Sequence, residues 1–120
     1  MANKEAKGVA LLNLGCRVNR VELDLMASDL IQLGCAIVEP KDAAAIIVNT
    51  CAVTAEAEAK TRKAIRHAAA LPRAPLVVAT GCVASLFADE LSSLAPNVVV
   101  EVHKDMVAEV VMQELRCALN

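Results

Sequence analysis

The sequence predicts an α/β fold in which helices cover both faces of a mostly parallel, five-stranded sheet. Short apolar runs alternate with longer segments of helical period, which is typical of β-α-β units. The runs are nearly continuous, as expected of strands that are buried on both faces. Of the 120 residues, 57% are hydrophobic and only Phe87 is aromatic, so the core is predicted to be aliphatic.

Five strands are predicted from the apolar runs at residues 9–14, 36–38, 45–49, 76–80 and 98–102. Residues 39–44 are too few for a standard helical crossover. The second strand is therefore predicted at the edge of the sheet, either antiparallel or weakly formed. If the remaining order is flavodoxin-like, 2-1-3-4-5, strands one, three and four lie side by side.

Four helices are predicted, at residues 20–33, from 55 to just before Pro72, at 85–94 and at 105–119. Asn19 and Thr54 are the predicted N-caps of the first two helices, and Gly34 is the C-terminal stop of the first. Residues three or four apart form the predicted buried faces of the first and last helices. They are Leu23, Met26, Leu30 and Leu33, and Val107, Val110, Val111 and Leu115.

The second helix carries a run of basic residues. These side chains could contact a nucleic acid or another domain, but Glu56 and Glu58 balance them and favour a solvated helix face. The basic residues are Lys60, Arg62, Lys63 and Arg66. His67 and His103 are isolated in the sequence and are assigned structural roles.

Composition excludes several classes of protein. The net charge of -2, without Trp or Tyr, argues against a nucleic-acid-binding surface on this domain. No apolar run approaches the ~18 residues of a membrane span, and the first residues are too polar for a secretory signal. A cytoplasmic protein is expected, whose thiols are reduced and available for metal or redox chemistry.

The five cysteines fall into two groups. Cys16, Cys51 and Cys82 each follow the end of a predicted strand, and these three strands are neighbours in the predicted order. Because the carboxyl ends of parallel strands meet at one edge of a sheet, the three thiols are predicted to converge. Cys35 precedes the second strand and Cys117 lies near the end of the last helix, so both are interpreted as core or surface residues.

Three thiolates without a nearby histidine are one ligand short of a structural zinc site. A three-cysteine iron-sulfur cluster with one open iron fits this donor set better. Asn49 is expected to order the loop of Cys51, and Thr50 is a candidate donor to cluster sulfur. The alternative is that the three thiols are small apolar residues packed at strand ends.

Three ordered motifs carry a resemblance to a known family. Gly15-Cys16-Arg17-Val18-Asn19, Asn49-Thr50-Cys51-Ala52-Val53-Thr54 and Thr80-Gly81-Cys82 resemble the N-terminal domain of the methylthiotransferases, which are radical S-adenosylmethionine enzymes. The resemblance implies that Cys16, Cys51 and Cys82 hold an auxiliary 4Fe-4S cluster whose open iron binds the sulfur that is methylated and transferred. The first motif looks most like the branch that modifies N6-threonylcarbamoyladenosine beside the tRNA anticodon.

The family also uses parts that this sequence lacks. The Cys-x3-Cys-x2-Cys motif of the second, radical-generating 4Fe-4S cluster does not occur, and no C-terminal RNA-binding module follows. The resemblance therefore implies that residues 1–120 are an excised domain of a transferase, or a truncated product, inactive alone and with weak or no affinity for tRNA. Its expected partner is the enzyme's own radical S-adenosylmethionine domain.

Two readings without a cluster remain open. A flavodoxin-like binding module would use the same edge of the sheet for FMN or a nucleotide, although Cys16 stands where a phosphate-binding loop would follow the first strand. A non-catalytic interaction domain would use the three thiols only for packing.

Overall fold

The computed structural model describes residues 7–14, 17–50, 55–72, 75–81, 88–101 and 106–119. Within these ranges, five strands form one sheet in the order β2-β1-β3-β4-β5, and every neighbouring pair is parallel. This confirms the predicted flavodoxin-like α/β fold. The strands are β1 (Lys7–Asn13), β2 (Cys35–Ile37), β3 (Ala45–Thr50), β4 (Leu76–Gly81) and β5 (Val98–Val100).

Four helices pack against the sheet in the described ranges. Clusters of buried side chains show that α1 and α4 cover one face and that α2 and α3 cover the other. A 3-10 turn, Pro40–Asp42, stands between β2 and β3. The helices are α1 (Arg17–Gln32), α2 (Ala55–Ala69), α3 (Ala88–Ser92) and α4 (Val107–Leu119).

The edge position predicted for the second strand is confirmed, but the antiparallel alternative is wrong. β2 pairs in parallel with β1, with Gly8 opposite Ala36. Ile37, the last residue of β2, and Ala45, the first residue of β3, both lie at the level of Val9, so the chain needs almost no return along the sheet and only crosses about 10 Å to reach β3. Residues 38–44 can span that path without a helix.

Helix α1 begins earlier than predicted. Its first residue is Arg17, so Asn19 lies in the first turn and is not the N-cap. An asparagine is tolerated there because the first four amide groups of a helix have no partner within it. Leu33 was also wrongly predicted to be buried; it follows the helix end and is 49% exposed. Gly34 stops the helix as predicted, with a φ of +96°.

The other helical boundaries agree with the sequence to within two residues where they are described, since α3 ends at Ser92, two residues before its predicted end, and α4 begins at Val107. α2 starts directly after Thr54, which itself lies outside the described residues, and ends before Pro72. Residues 85–87 of the predicted third helix and residue 105 of the last also lie outside them. Val107 and Val111 are buried as predicted, and Val110 is half-buried. The predicted inward position of Leu115 falls on a side chain outside the described set.

Two buried layers sandwich the sheet. Alternate residues of β3 point to opposite faces, so Ile46 and Val48 pack beneath α2 and α3. Ala45 and Ile47 pack beneath α1 and α4. The whole of β3 is buried, which explains why its sequence is almost continuously apolar.

Candidate metal centre at the carboxyl edge of the sheet

The three predicted ligands, Cys16, Cys51 and Cys82, lie outside the described residues, as does His103. The strand ends that lead to them are described. Thr50 directly precedes Cys51, Gly81 directly precedes Cys82, and Leu14 stands two residues before Cys16.

These strand ends are held side by side. Asn13 of β1, Asn49 of β3 and Thr80 of β4 occupy the same register position across three neighbouring strands. The pairing continues beyond β1, because the amide of Leu14 donates to the carbonyl of Asn49 at 2.9 Å. The backbone therefore leaves β1, β3 and β4 at one edge of the sheet, as the sequence predicted.

The ends of β3 and β4 are in especially close contact. Thr50 lies opposite Gly81, and the Thr50 hydroxyl donates to the carbonyl of Thr80 at 2.8 Å. Gly81 has a φ of +104°, in the left-handed region that favours glycine. A Cβ at Gly81 would overlap the Thr50 carbonyl oxygen and lie 2.8 Å from the Thr50 amide nitrogen. Only glycine fits this position, immediately before Cys82.

The same hydrogen bond revises one sequence expectation. Thr50 was a candidate donor to cluster sulfur, but its single hydroxyl proton is committed to the carbonyl of Thr80. Thr50 therefore joins the two strand ends.

A row of polar side chains crosses the sheet at this edge. Leu11, Ile47 and Val78 pack in the core beneath α1 and α4. Because side chains alternate along a strand, Asn13, Asn49 and Thr80, each two positions later, lie on the same face of the sheet. The row continues onto β5, since the amide of Glu101 donates to the carbonyl of Ala79 at 3.0 Å. We call these four residues the edge row: Asn13, Asn49, Thr80 and Glu101.

The sequence predicted a role at this edge for Asn49 but not for the other three residues of the edge row. Asn49 and Thr80 are fully buried, whereas the strand positions before them are apolar. A polar residue that ends an otherwise apolar run is a local signal for such a row. The alignment of three such residues across strands, however, requires the register.

Cys35 lies far from this edge. It is the first residue of β2 and pairs with Lys7, six residues before Asn13 along β1, or about 20 Å at the rise of a strand. Its side chain is buried, and its thiol contacts the sulfur of Met112 at 3.4 Å. Of the two roles left open for Cys35, core or surface, the structure shows the core. Cys117 lies in the last turn of α4.

No group of three or more His, Cys, Asp or Glu side chains suited to a metal ion occurs among the described residues. His67 is exposed on α2.

The basic side chains of α2 are divided between two roles. Lys60, Lys63 and Arg66 are exposed, in line with the solvated face that the sequence favoured. Arg62 instead bridges to the next helix, because its guanidinium lies 3.1 Å from the carboxylate of Glu90 on α3.

Within the part of the chain that the structure describes, no helix is both long enough and apolar enough to cross a membrane.

The fold and its cysteine-flanked edge define a known domain class. Residues 8–102 match the family described as "Uncharacterized protein family UPF0004", and the chain belongs to this family, which is the N-terminal domain of methylthiotransferases.

Its relatives have two named activities. The chain is 39% identical over 87 residues to the threonylcarbamoyladenosine tRNA methylthiotransferase MtaB of Aquifex aeolicus, covering 72% of this chain and 21% of that protein. It is 36% identical over 93 residues to MtaB of Thermotoga maritima, covering 78% and 21%. It is 38% identical over 90 residues to the ribosomal protein uS12 methylthiotransferase RimO of Desulforudis audaxviator, covering 72% and 20%. The chain thus spans about a fifth of the length of these relatives.

Proposed function

We propose that this domain holds a 4Fe-4S cluster through Cys16, Cys51 and Cys82, with one iron left without a protein ligand. The domain then serves as the auxiliary cluster domain of a tRNA methylthiotransferase. The substrate that we assign is N6-threonylcarbamoyladenosine next to the anticodon.

The observation that carries this proposal is the register of β1, β3 and β4. Thr50 and Gly81 are paired across neighbouring strands. Each is followed by a cysteine, and consecutive Cα atoms are about 3.8 Å apart while neighbouring strands are about 4.8 Å apart. Chain connectivity therefore keeps the Cα atoms of Cys51 and Cys82 within about 12 Å of each other. Cys16 follows the strand on the other side of β3.

The donor set fits an iron-sulfur cluster. Thiolates are the soft ligands that such clusters use, and three of them leave one iron open. Cys51 also stands four residues before the first residue of α2, and the partial positive charge of a helix N-terminus favours the thiolate form of a nearby cysteine. When bound, the cluster supplies an open iron able to hold the sulfur destined for transfer.

The chain's own residues would hold the ligand loops in place. Thr50 fastens the end of β3 to β4 through its hydroxyl, and Gly81 permits the close approach of the two strands. Because both residues adjoin a cysteine, they limit where Cys51 and Cys82 can lie. Metal sites need supporting residues of this kind, because the ligands must be held close to the geometry that the metal requires.

One observation supports the tRNA substrate over the ribosomal one. The sequence Gly15-Cys16-Arg17-Val18-Asn19 resembles the threonylcarbamoyladenosine branch. The identities of 39% and 36% to two MtaB proteins are compatible with this substrate. The 38% identity to a RimO protein makes the uS12 ribosomal protein the competing substrate.

The remaining parts of the reaction belong to a longer enzyme. We assign S-adenosylmethionine and a second 4Fe-4S cluster to a radical domain that partners this one, since relatives are about five times the length of the matched region. The 120-residue chain alone is expected to be inactive and to bind tRNA weakly or not at all. We place the enzyme in the cytoplasm, where thiols stay reduced.

Anaerobic reconstitution tests the cluster assignment. The 120-residue chain is incubated with iron and sulfide, desalted, and assayed for iron, sulfide and visible absorption. We expect about four irons per chain. Cys16→Ala, Cys51→Ala and Cys82→Ala should each lose this iron, whereas Cys35→Ala and Cys117→Ala should keep it. Wild-type protein without iron, or iron retained in the three variants, would instead support an interaction module whose thiols only pack.

A separate assay tests the substrate. The longer enzyme carrying this domain is given S-adenosylmethionine, a reductant and either tRNA bearing threonylcarbamoyladenosine or ribosomal protein uS12. Mass spectrometry should find the methylthio group on the nucleoside. Modification of uS12 alone would overturn the substrate assignment and leave the cluster assignment intact.

A further inference from the structure

The edge row contains one hydroxyl group whose burial has no evident compensation. The Thr80 side chain is fully buried, and its Oγ1 atom has no hydrogen-bond partner among the described residues. Leaving a buried hydroxyl without a hydrogen-bond partner destabilises the folded protein. A hydroxyl in such a position is expected to have a partner that the described residues do not supply.

The position of Thr80 limits what that partner is. Thr80 lies two residues before Cys82 and directly opposite Asn49, which lies two residues before Cys51. The carbonyl of Thr80 already accepts the hydroxyl of Thr50, and the side-chain oxygen of the facing Asn49 does not accept the Thr80 hydroxyl. The acceptors expected at this edge are the sulfur atoms of the proposed cluster and of its cysteine ligands.

We propose that Thr80 donates its hydroxyl proton to a sulfur atom of the bound cluster or of a ligating cysteine. This inference rests on the cluster assignment made above. Thr80 is then a positioning residue that tunes the cluster, because a hydrogen bond to sulfur stabilises the more negative, reduced state. The proposal assigns Thr80 no part in binding the substrate.

The chain offers a matched control for this test. Thr61 on α2 is also fully buried, and its Oγ1 atom also has no partner among the described residues. It lies in the middle of α2 (Ala55–Ala69), ten residues after Cys51 in the sequence. Replacing either threonine with valine removes a buried hydroxyl and keeps the branched shape of the side chain.

The test compares wild type, Thr80→Val, Thr80→Ser and Thr61→Val after anaerobic reconstitution of the chain. Iron content, unfolding of the metal-free protein and the reduction potential of the loaded cluster are measured. Thr80→Val should unfold at the same or a slightly higher temperature without metal. Its cluster should be harder to reduce, with an equilibrium constant for reduction about fivefold lower, as expected for one lost hydrogen bond. Thr80→Ser and Thr61→Val should match the wild-type potential.

The outcomes separate this proposal from the one on which it depends. A wild-type chain that takes up no iron overturns both. A loaded Thr80→Val cluster with the wild-type potential overturns the role of Thr80 alone. If Thr80→Val takes up no iron, rescue by Thr80→Ser supports the hydroxyl as donor, whereas loss in both variants shows that Thr80 acts through packing.

Discussion

Thr50 and Gly81 face each other at the last register position shared by β3 and β4, so closely that no side chain fits on Gly81. The Thr50 hydroxyl reinforces this contact through its 2.8 Å hydrogen bond to the carbonyl of Thr80. Each of the two facing residues is followed by a cysteine. The residues that directly precede Cys51 and Cys82 are therefore held together by a contact inside the sheet.

Replacing Gly81 with alanine should separate the two strand ends. The left-handed φ alone costs about 1–2 kcal/mol for a residue with a Cβ, and the overlap with Thr50 adds to that cost. We expect Gly81→Ala to lower the free energy of unfolding by more than about 2 kcal/mol and to reduce iron uptake. Urea unfolding and iron analysis measure the two effects.

Gly34→Ala is the matched control. Gly34 also has a positive φ, but a Cβ there would meet nothing within 4 Å. Its substitution should cost only the backbone strain of about 1–2 kcal/mol and leave iron uptake unchanged. Equal costs at Gly34 and Gly81 would show that the contact with Thr50 contributes nothing.

The hydroxyl of Thr50 should contribute measurably to stability. Thr50→Val keeps the shape of the side chain and removes the buried hydrogen bond to Thr80. We expect a loss of about 1 kcal/mol in the free energy of unfolding, measured with urea. Thr50→Ser, which keeps the hydroxyl, should lose less. A Thr50→Val variant as stable as wild type would contradict the proposed fastening of the two strands.

Two leucines of α1 should respond very differently to truncation. Leu30 is fully buried on the side of α1 that faces the sheet, whereas Leu25 is 63% exposed. Leu30→Ala should cost about 2–5 kcal/mol because it leaves a cavity in the core. Leu25→Ala should change stability by less than about 0.5 kcal/mol. Similar losses at both positions in thermal or urea unfolding would contradict the observed orientation of α1.

Cys35 should be dispensable for metal binding. Its thiol packs against Met112 at the opposite end of the sheet, so Cys35→Ala removes only a small buried group. We expect a loss of about 1 kcal/mol in stability and an unchanged iron content after reconstitution. A fall in iron content that exceeds the fall in folded protein would place Cys35 in the metal site.

The strands were predictable because burial on both faces leaves a local signal. Residues 45–49 form an apolar run ending in Asn49, and the strand found there, Ala45–Thr50, extends it by one residue. The end of α1 at Gly34 was equally predictable, since glycine after a helix end permits a positive φ. Signals of this kind depend on neighbouring residues alone, so the sequence is enough to detect them.

Other features depend on contacts between distant segments. The direction of β2 follows from its pairing with β1 and from the path of residues 38–44 over Gly8, whose carbonyl accepts the amide of Ala44. The start of α1 at Arg17 was missed because Asn19 is a good N-cap that the helix does not use there. The edge row needs the register that aligns Asn49 with Thr80, and no local pattern specifies that register.

Disulfide mapping of the metal-free chain tests most directly whether the sheet brings the three cysteines together. The protein is exposed to a mild oxidant, and its thiols are located by peptide mass spectrometry. We predict an intramolecular disulfide between two of Cys16, Cys51 and Cys82, with the buried Cys35 still reduced. Disulfides that join any of these three to Cys35, or three thiols that remain reduced throughout, would contradict their convergence at the edge of the sheet.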